Sequence, residues 1–291
     1  MDLTVFLVQV LNGVQYGFLL FLVSSGLTLV FGIMGIINLA HGAFYMFGAY
    51  IVFWLNGVLG NFFMAILLGV PIMIVLSLVI ERFAISYLYQ RDHLCQLLLT
   101  YGLILILNEA QLLIWGSDFY SVPVPEILSG RIALTENQDY PIYRLFISVV
   151  GLLLAGGMYL VIQKTRLGMI VRAGASNREM VEVLGININL VFSIVFSVGA
   201  ALAAFSGMIA APVSSVFPGM GNGILIVSFV VVVIGGIGSI KGAFIGAMLI
   251  GLATTFGQVL LPNLASMVVY ALMAGILVWR PQGLYGRTTS S

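Results

Sequence analysis

Leu3–Ile80 reads LTVFLVQVLNGVQYGFLLFLVSSGLTLVFGIMGIINLAHGAFYMFGAYIVFWLNGVLGNFFMAILLGVPIMIVLSLVI, and no Asp, Glu, Lys or Arg interrupts it. One membrane-spanning helix needs about 20 apolar residues, so this stretch holds several. Two more uncharged runs follow, Val183–Ile240 and Gly242–Trp279. A β-barrel would instead show repeated alternating strands of about ten residues. The fold expected is an all-α, polytopic transmembrane bundle.

The rest of the chain agrees. Of 291 residues 61% are hydrophobic and 7% charged, against roughly 25% charged in a soluble domain. A soluble domain of this size could not hide so much apolar surface. Cys95 is the single cysteine, which leaves no internal disulfide and no multi-cysteine metal site. A net charge of +1 gives no reason to expect nucleic-acid binding. The 34 glycines point to helices packed at close range. The first basic residue is Arg82, so the start of the chain lacks the basic region of a cleaved signal peptide.

Helices are expected near Val5–Phe31, Leu39–Leu55, Phe62–Ile80, Leu94–Trp115, Tyr143–Ile162, Leu190–Ala211, Ile224–Ile234, Ala243–Leu260 and Leu264–Trp279. The count is nine, or eight if the short piece ending at Ile234 is not a span. The whole of 1–291 reads as one transmembrane domain. Lys164, Arg166, Arg172 and Arg178 form the densest basic cluster, which the positive-inside rule places in the cytoplasm. Arg82, Arg91, Lys241, Arg280 and Arg287 then fall on the same side. The acidic loop of 116–142 falls outside, with the N-terminus outside and the C-terminus inside.

Within the cytoplasmic segment of 164–188, Ser176 and Glu179 have capping-box spacing. Met180, Val183 and Leu184 share a face, away from Arg178, Glu179 and Glu182, and Gly185 stands where a left-handed C-cap belongs. This predicts a helix of about nine residues, roughly 13 Å long. Alone it would be marginal in water. Its apolar face either packs on the protein's own membrane end or docks in a groove of a cytoplasmic partner.

Two glycine-rich segments share a pattern, GIMGIINLAHGAFYMFGAY from Gly32 to Tyr50 and GGIGSIKGAFIGAMLIG from Gly235 to Gly251. Neither contains a phosphate-binding motif. Gly235, Gly236, Gly238 and Gly242 are expected to serve a turn and close helix packing. Asn38 and His41 are polar interruptions of an apolar run, and such groups usually face a bundle interior or a watery cavity. Two readings stand: they satisfy backbone groups at a helix interface, or Asn38, His41, Gly42 and Tyr45 border a substrate path. No nucleophile, metal set or acid–base pair can be assembled, which disfavours a membrane enzyme.

The segments Ser24–Tyr50, Thr100–Leu107 (TYGLILIL), Thr165–Asn187 (TRLGMIVRAGASNREMVEVLGIN), Gly199–Gly221, Phe229–Gly251 and Trp279–Arg287 occur in an order that carries a resemblance. Nearly end to end, the chain resembles the LivH-type permease subunits of bacterial ABC transporters for branched-chain amino acids. The resemblance implies an inner-membrane importer subunit working by alternating access. Its implied partners are a second homologous, LivM-type permease, two cytoplasmic ATPases, an extracytoplasmic binding protein and the membrane lipid. ATP and Mg²⁺ would be held by the ATPases and no cofactor by this chain. Arg172–Gly185 would be the coupling region that contacts the ATPase. Relatives of this family also carry urea, short amides or aromatic acids. The rival from another class, an ion-coupled secondary transporter, would need charged residues deep in the membrane, and the uncharged runs argue against it.

Overall fold

The computed structural model describes residues 3–89, 91–135, 138–176 and 178–286. Eleven α-helices occur among them: α1 (Leu3–Met34), α2 (His41–Leu59), α3 (Phe62–Phe83), α4 (His93–Trp115), α5 (Ile142–Lys164), α6 (Arg166–Ser176), α7 (Arg178–Val183), α8 (Ile188–Ala210), α9 (Met220–Gly235), α10 (Ile240–Leu260) and α11 (Ala265–Trp279). Eight helices among the described residues are long and apolar enough to cross a membrane, α11 among them because a 3-10 turn at Pro262–Leu264 extends it to Pro262–Trp279. The ninth apolar helix, α9, has 16 residues and is about 24 Å long, shorter than a hydrocarbon core of roughly 30 Å.

The bundle is built around α1. Leu20, Leu22, Val23, Ser24 and Ser25 have no exposed surface, as expected of a helix that is apolar on every side. It packs on α10, α8, α5 and α9, and α2 packs on α8 and α3. The outer faces of α3, α4, α5 and α11 leave large apolar side chains exposed, Leu67, Leu113, Leu153 and Val278 among them. For a chain in lipid this is a solvated surface, since acyl chains are as apolar as leucine.

The bundle has two distinct ends. At one, Gly32 touches Gly238, the end of α5 and the start of α10 line one cavity with Tyr285, and Ser193 of α8 bonds Glu81 of α3. At the other, Arg144 reaches Asn12, the Tyr143 hydroxyl donates to the Ile209 carbonyl at 2.8 Å, and Tyr120 pairs with Val216. Helix α9 starts beside Gly42, in the bundle interior, and runs to the Gly32 end, and the connection from Ala211 to Gly219 supplies the rest of the traverse. The connections bearing Arg82, Lys164, Arg172, Lys241 and Arg280 all lie at the Gly32 end, and those bearing Asp118, Glu126 and Asp139 at the Asn12 end.

Two features differ from the sequence expectation. The 116–142 connection contains an antiparallel hairpin, β1 (Arg131–Thr135) with β2 (Gln138–Pro141). Strands of four or five residues are too short for a two-residue period to stand out. Helix α6 is also additional, since only one helix was expected between α5 and α8.

Candidate functional site

Between α1 and α2 the chain does not cross the surface. Gly35 takes a positive φ of 67° and turns it inward, and Ile36, Asn38 and Ala40 are fully buried. His41 begins α2 rather than lying inside a helix that starts at Leu39. A Nε2–H of His41 donates to the Val23 carbonyl at 2.9 Å. Val23 stands nine residues before Gly32 on α1, about 14 Å into the bundle from that end. Residues 35–40 are therefore non-helical backbone at depth, which lipid tolerates only where protein or a cavity surrounds it.

The break supplies its own partners in part. The Asn38 Oδ1 accepts from the Ala40 amide at 3.1 Å, and the Thr100 hydroxyl of α4, which donates to the Gln96 carbonyl at 2.8 Å, lies 3.4 Å from the Ile37 carbonyl. A carbonyl can only accept, so the His41 proton sits on Nε2 and Nδ1 is left over. Among the described residues Nδ1 has no partner, and neither do Asn38 Nδ2, Ser24 Oγ, Thr28 Oγ1, Ser197 Oγ and Ser228 Oγ. These atoms come from α1, the break, α8 and α9, which pack on one another. A buried polar group left unsatisfied costs about 1–3 kcal/mol. Such an interior is suited to water or to a polar solute that supplies the missing bonds. Tyr45, four residues beyond His41, is also buried, and its hydroxyl faces Ser214 and Tyr16.

Glycines hold α9 against the helices on either side of it. A Cβ on Gly42 would stand 2.2 Å from the Gly221 carbonyl oxygen, and one on Gly242 1.9 Å from that of Gly235. The two segments alike in sequence thus both begin helices that press on α9, one at each of its ends. Gly236 (φ 96°) and Gly238 (φ 77°) shape the turn between α9 and α10, in backbone conformations that side chains disfavour.

In the segment after α5, Gly185 adopts a positive φ of 80°. The Ile186 amide bonds back to the Val181 carbonyl and the Gly185 amide to that of Glu182, the paired pattern of a Schellman cap. Asn177 and the side chains of Ser176, Arg178 and Glu179 lie outside the described residues, the capping box with them. The helical face is divided differently from the expectation. Val181 is the residue turned into the core, while Val183 and Leu184 are 81% and 71% exposed and Met180 and Glu182 are exposed too. Arg172 lies on α6 and lines a cavity with Lys241.

The sequence reading missed the hydroxyl groups on α1, α8 and α9, because a serine in a glycine-rich helix looks the same whether it packs or faces a cavity. Thr100 lies within one of the quoted motifs, although no role was read from it. Glu81 was also missed. It is buried at the Gly32 end and accepts from Tyr89 and, at 2.8 Å, from Ser193, which ties α3 to α8.

Comparisons with known proteins converge. The family described as "Branched-chain amino acid transport system / permease component" matches residues 9–277. The chain is 34% identical to the high-affinity branched-chain amino acid transport system permease protein BraD of Pseudomonas aeruginosa, over 97% of this chain and 96% of that one. It is 30% identical to the corresponding protein LivH of Escherichia coli K12, again over 97% and 96%. A probable LivH permease of Methanocaldococcus jannaschii shares 27% over 96% of this chain and 92% of its own. No solved structure matches.

Proposed function

The chain belongs to the branched-chain amino acid transport permease family, and from that premise we propose that it forms half of the translocation path of an importer for branched-chain or closely related amino acids. As a permease component it is a transport subunit and not an enzyme. The family match across residues 9–277 carries the assignment. The buried break at residues 35–40 supports the placement of the path. In this reading Asn38, His41, Gly42 and Tyr45 border it, and the unpartnered hydroxyls of Ser24, Ser197 and Ser228 continue it.

The Gly32 end faces the cytoplasm of the bacterial inner membrane, which the segregation of basic and acidic connections supports. A LivM-type permease completes the bundle, a binding protein delivers the ligand at the Asn12 end, and two ATPases holding ATP and Mg²⁺ engage α7. Exposed Val183 and Leu184 support that docking, since apolar groups on a water-facing helix gain from a partner's groove. Rocking of the assembly then opens the break to one side and afterwards to the other. Because the binding protein selects the ligand, the path needs only weak contacts.

Cysteine labelling tests the path. With Cys95 replaced by Ser, single cysteines at 38, 41 and 45 are exposed to a small water-soluble thiol reagent in each nucleotide state. In the conformation described here Asn38 and His41 have no exposed surface, so reaction is expected in one state and protection in another. Protection of all three in every state would remove the break from the path. Competition uptake with leucine, isoleucine, valine, urea and short amides assigns the substrate.

A further inference from the structure

At the Gly32 end a cavity of about 360 Å³ lies between α1, α5, α6 and the α9–α10 turn. Its lining includes Arg172 and Lys241, the hydroxyl-bearing Thr28 and Ser239, and, among the described residues, no carboxylate. One guanidinium nitrogen of Arg172, Nη1, is buried without a hydrogen-bond partner among the described residues, and so is the Thr28 hydroxyl. The first turn of α10, a helix of 21 residues capped by Ser239, opens onto the same space and adds the positive end of its dipole. Two cations, a helix start and unmet donors, with no counter-charge among the described residues, describe a site for an anion.

The cavity does not end there. Tyr159, Ile240, Lys241 and Tyr285 also line a second hollow of about 330 Å³ whose other walls are Phe21, Leu152, Ala155, Gly156, Phe244 and Ile245. This one is an apolar groove between α5 and α10. It lies on the bundle's outer surface, where the neighbouring Leu153 and Leu160 are exposed. The Lys241 ammonium stands over the Tyr159 ring, 5.6 Å from its centre, at the junction of the two hollows. A tyrosine and a lysine at such a boundary are the usual anchors of a membrane interface.

We propose that cavity and groove together hold one anionic phospholipid, its headgroup phosphate between Arg172, Lys241 and the first turn of α10, and an acyl chain along α5 and α10. A soluble anion would use the cavity and leave the groove empty. A zwitterionic lipid would fill the groove and offer its phosphate, but it would bring its own cation beside Arg172 and Lys241 and leave their charge uncancelled. Only a lipid with net negative charge satisfies both, and basic pockets between membrane helices bind such headgroups. The bound lipid braces α6 against α1 and α10.

The test uses the full chain in its copurified assembly, stripped of lipid in detergent. The probes are dioleoyl phosphatidylglycerol, dioleoyl phosphatidylcholine and inorganic phosphate, read by retained mass in native mass spectrometry and by thermal shift. Phosphatidylglycerol should bind saturably and stabilise the assembly, phosphatidylcholine should bind more weakly, and phosphate should not substitute. The double variant Arg172→Gln/Lys241→Gln should weaken phosphatidylglycerol binding roughly 30-fold, about fivefold per charge. Gly156→Leu should narrow the groove, since Gly156 lines it and a Cβ there meets nothing within 4 Å. It touches neither cation, so it decides the matter if the double variant fails to assemble. Equal retention of both lipids by wild type and variants would mean a non-specific lipid annulus and overturn the proposal. So would phosphate stabilising as strongly as lipid with Gly156→Leu silent, or an assembly that retains no lipid.

Discussion

At Gly242 even one methyl group would lie 1.9 Å from the Gly235 carbonyl oxygen, which cannot move without shifting α9. At Gly102, by contrast, a Cβ meets nothing within 4 Å. Both are helical glycines in apolar surroundings, and nothing local distinguishes them. Gly242→Ala should therefore overpack the α9–α10 contact and cost about 1–3 kcal/mol, seen as a lower melting temperature and yield in detergent. Gly102→Ala should be neutral or slightly stabilising, since alanine favours the helix. An unchanged melting temperature for Gly242→Ala would show that the contact yields freely. The residue scale is where the sequence is least informative: the atom that decides each glycine belongs to a distant segment.

At the scale of the element, α7 shows how far a local pattern reaches. Gly185 was legible as the C-cap because a helix end is written in neighbouring residues. The inward residue was not, because Val181, Val183 and Leu184 are all apolar and six residues define a face poorly. With Leu184 71% exposed, Leu184→Asp should leave the bundle's melting temperature unchanged. If the ATPase covers this residue, the same change buries an unpaired charge at the interface and should cost several kcal/mol of binding. Pull-down of the ATPase through this chain measures it; full recovery with normal uptake would remove α7 from the interface. The start of α2 is a second case. The sequence expectation starts this helix at Leu39, yet it begins only at His41, because Gly35 turns and the Asn38 side chain takes the Ala40 amide.

For the whole molecule, the prediction concerns transport. His41→Leu keeps a bulky apolar group but removes both ring nitrogens, leaving the Val23 carbonyl without this partner and the interior without Nδ1. Uptake by the reconstituted transporter should fall about tenfold or more, while the binding protein's affinity for its ligand stays the same. Normal uptake would return His41 to a packing role. Spans, the segregation of charge between the two ends and the permease family all follow from hydropathy, charge order and motif order, which are properties read along the chain. They survive because lipid obliges every long apolar run to become a helix and satisfy its own backbone. The depth of the break, the α9 traverse, the glycine contacts and the basic cavity beside a lipid-facing groove depend on which distant segments meet. Such meetings are decided by close packing of small residues and by the pairing of a few buried polar groups, energies that no single segment contains.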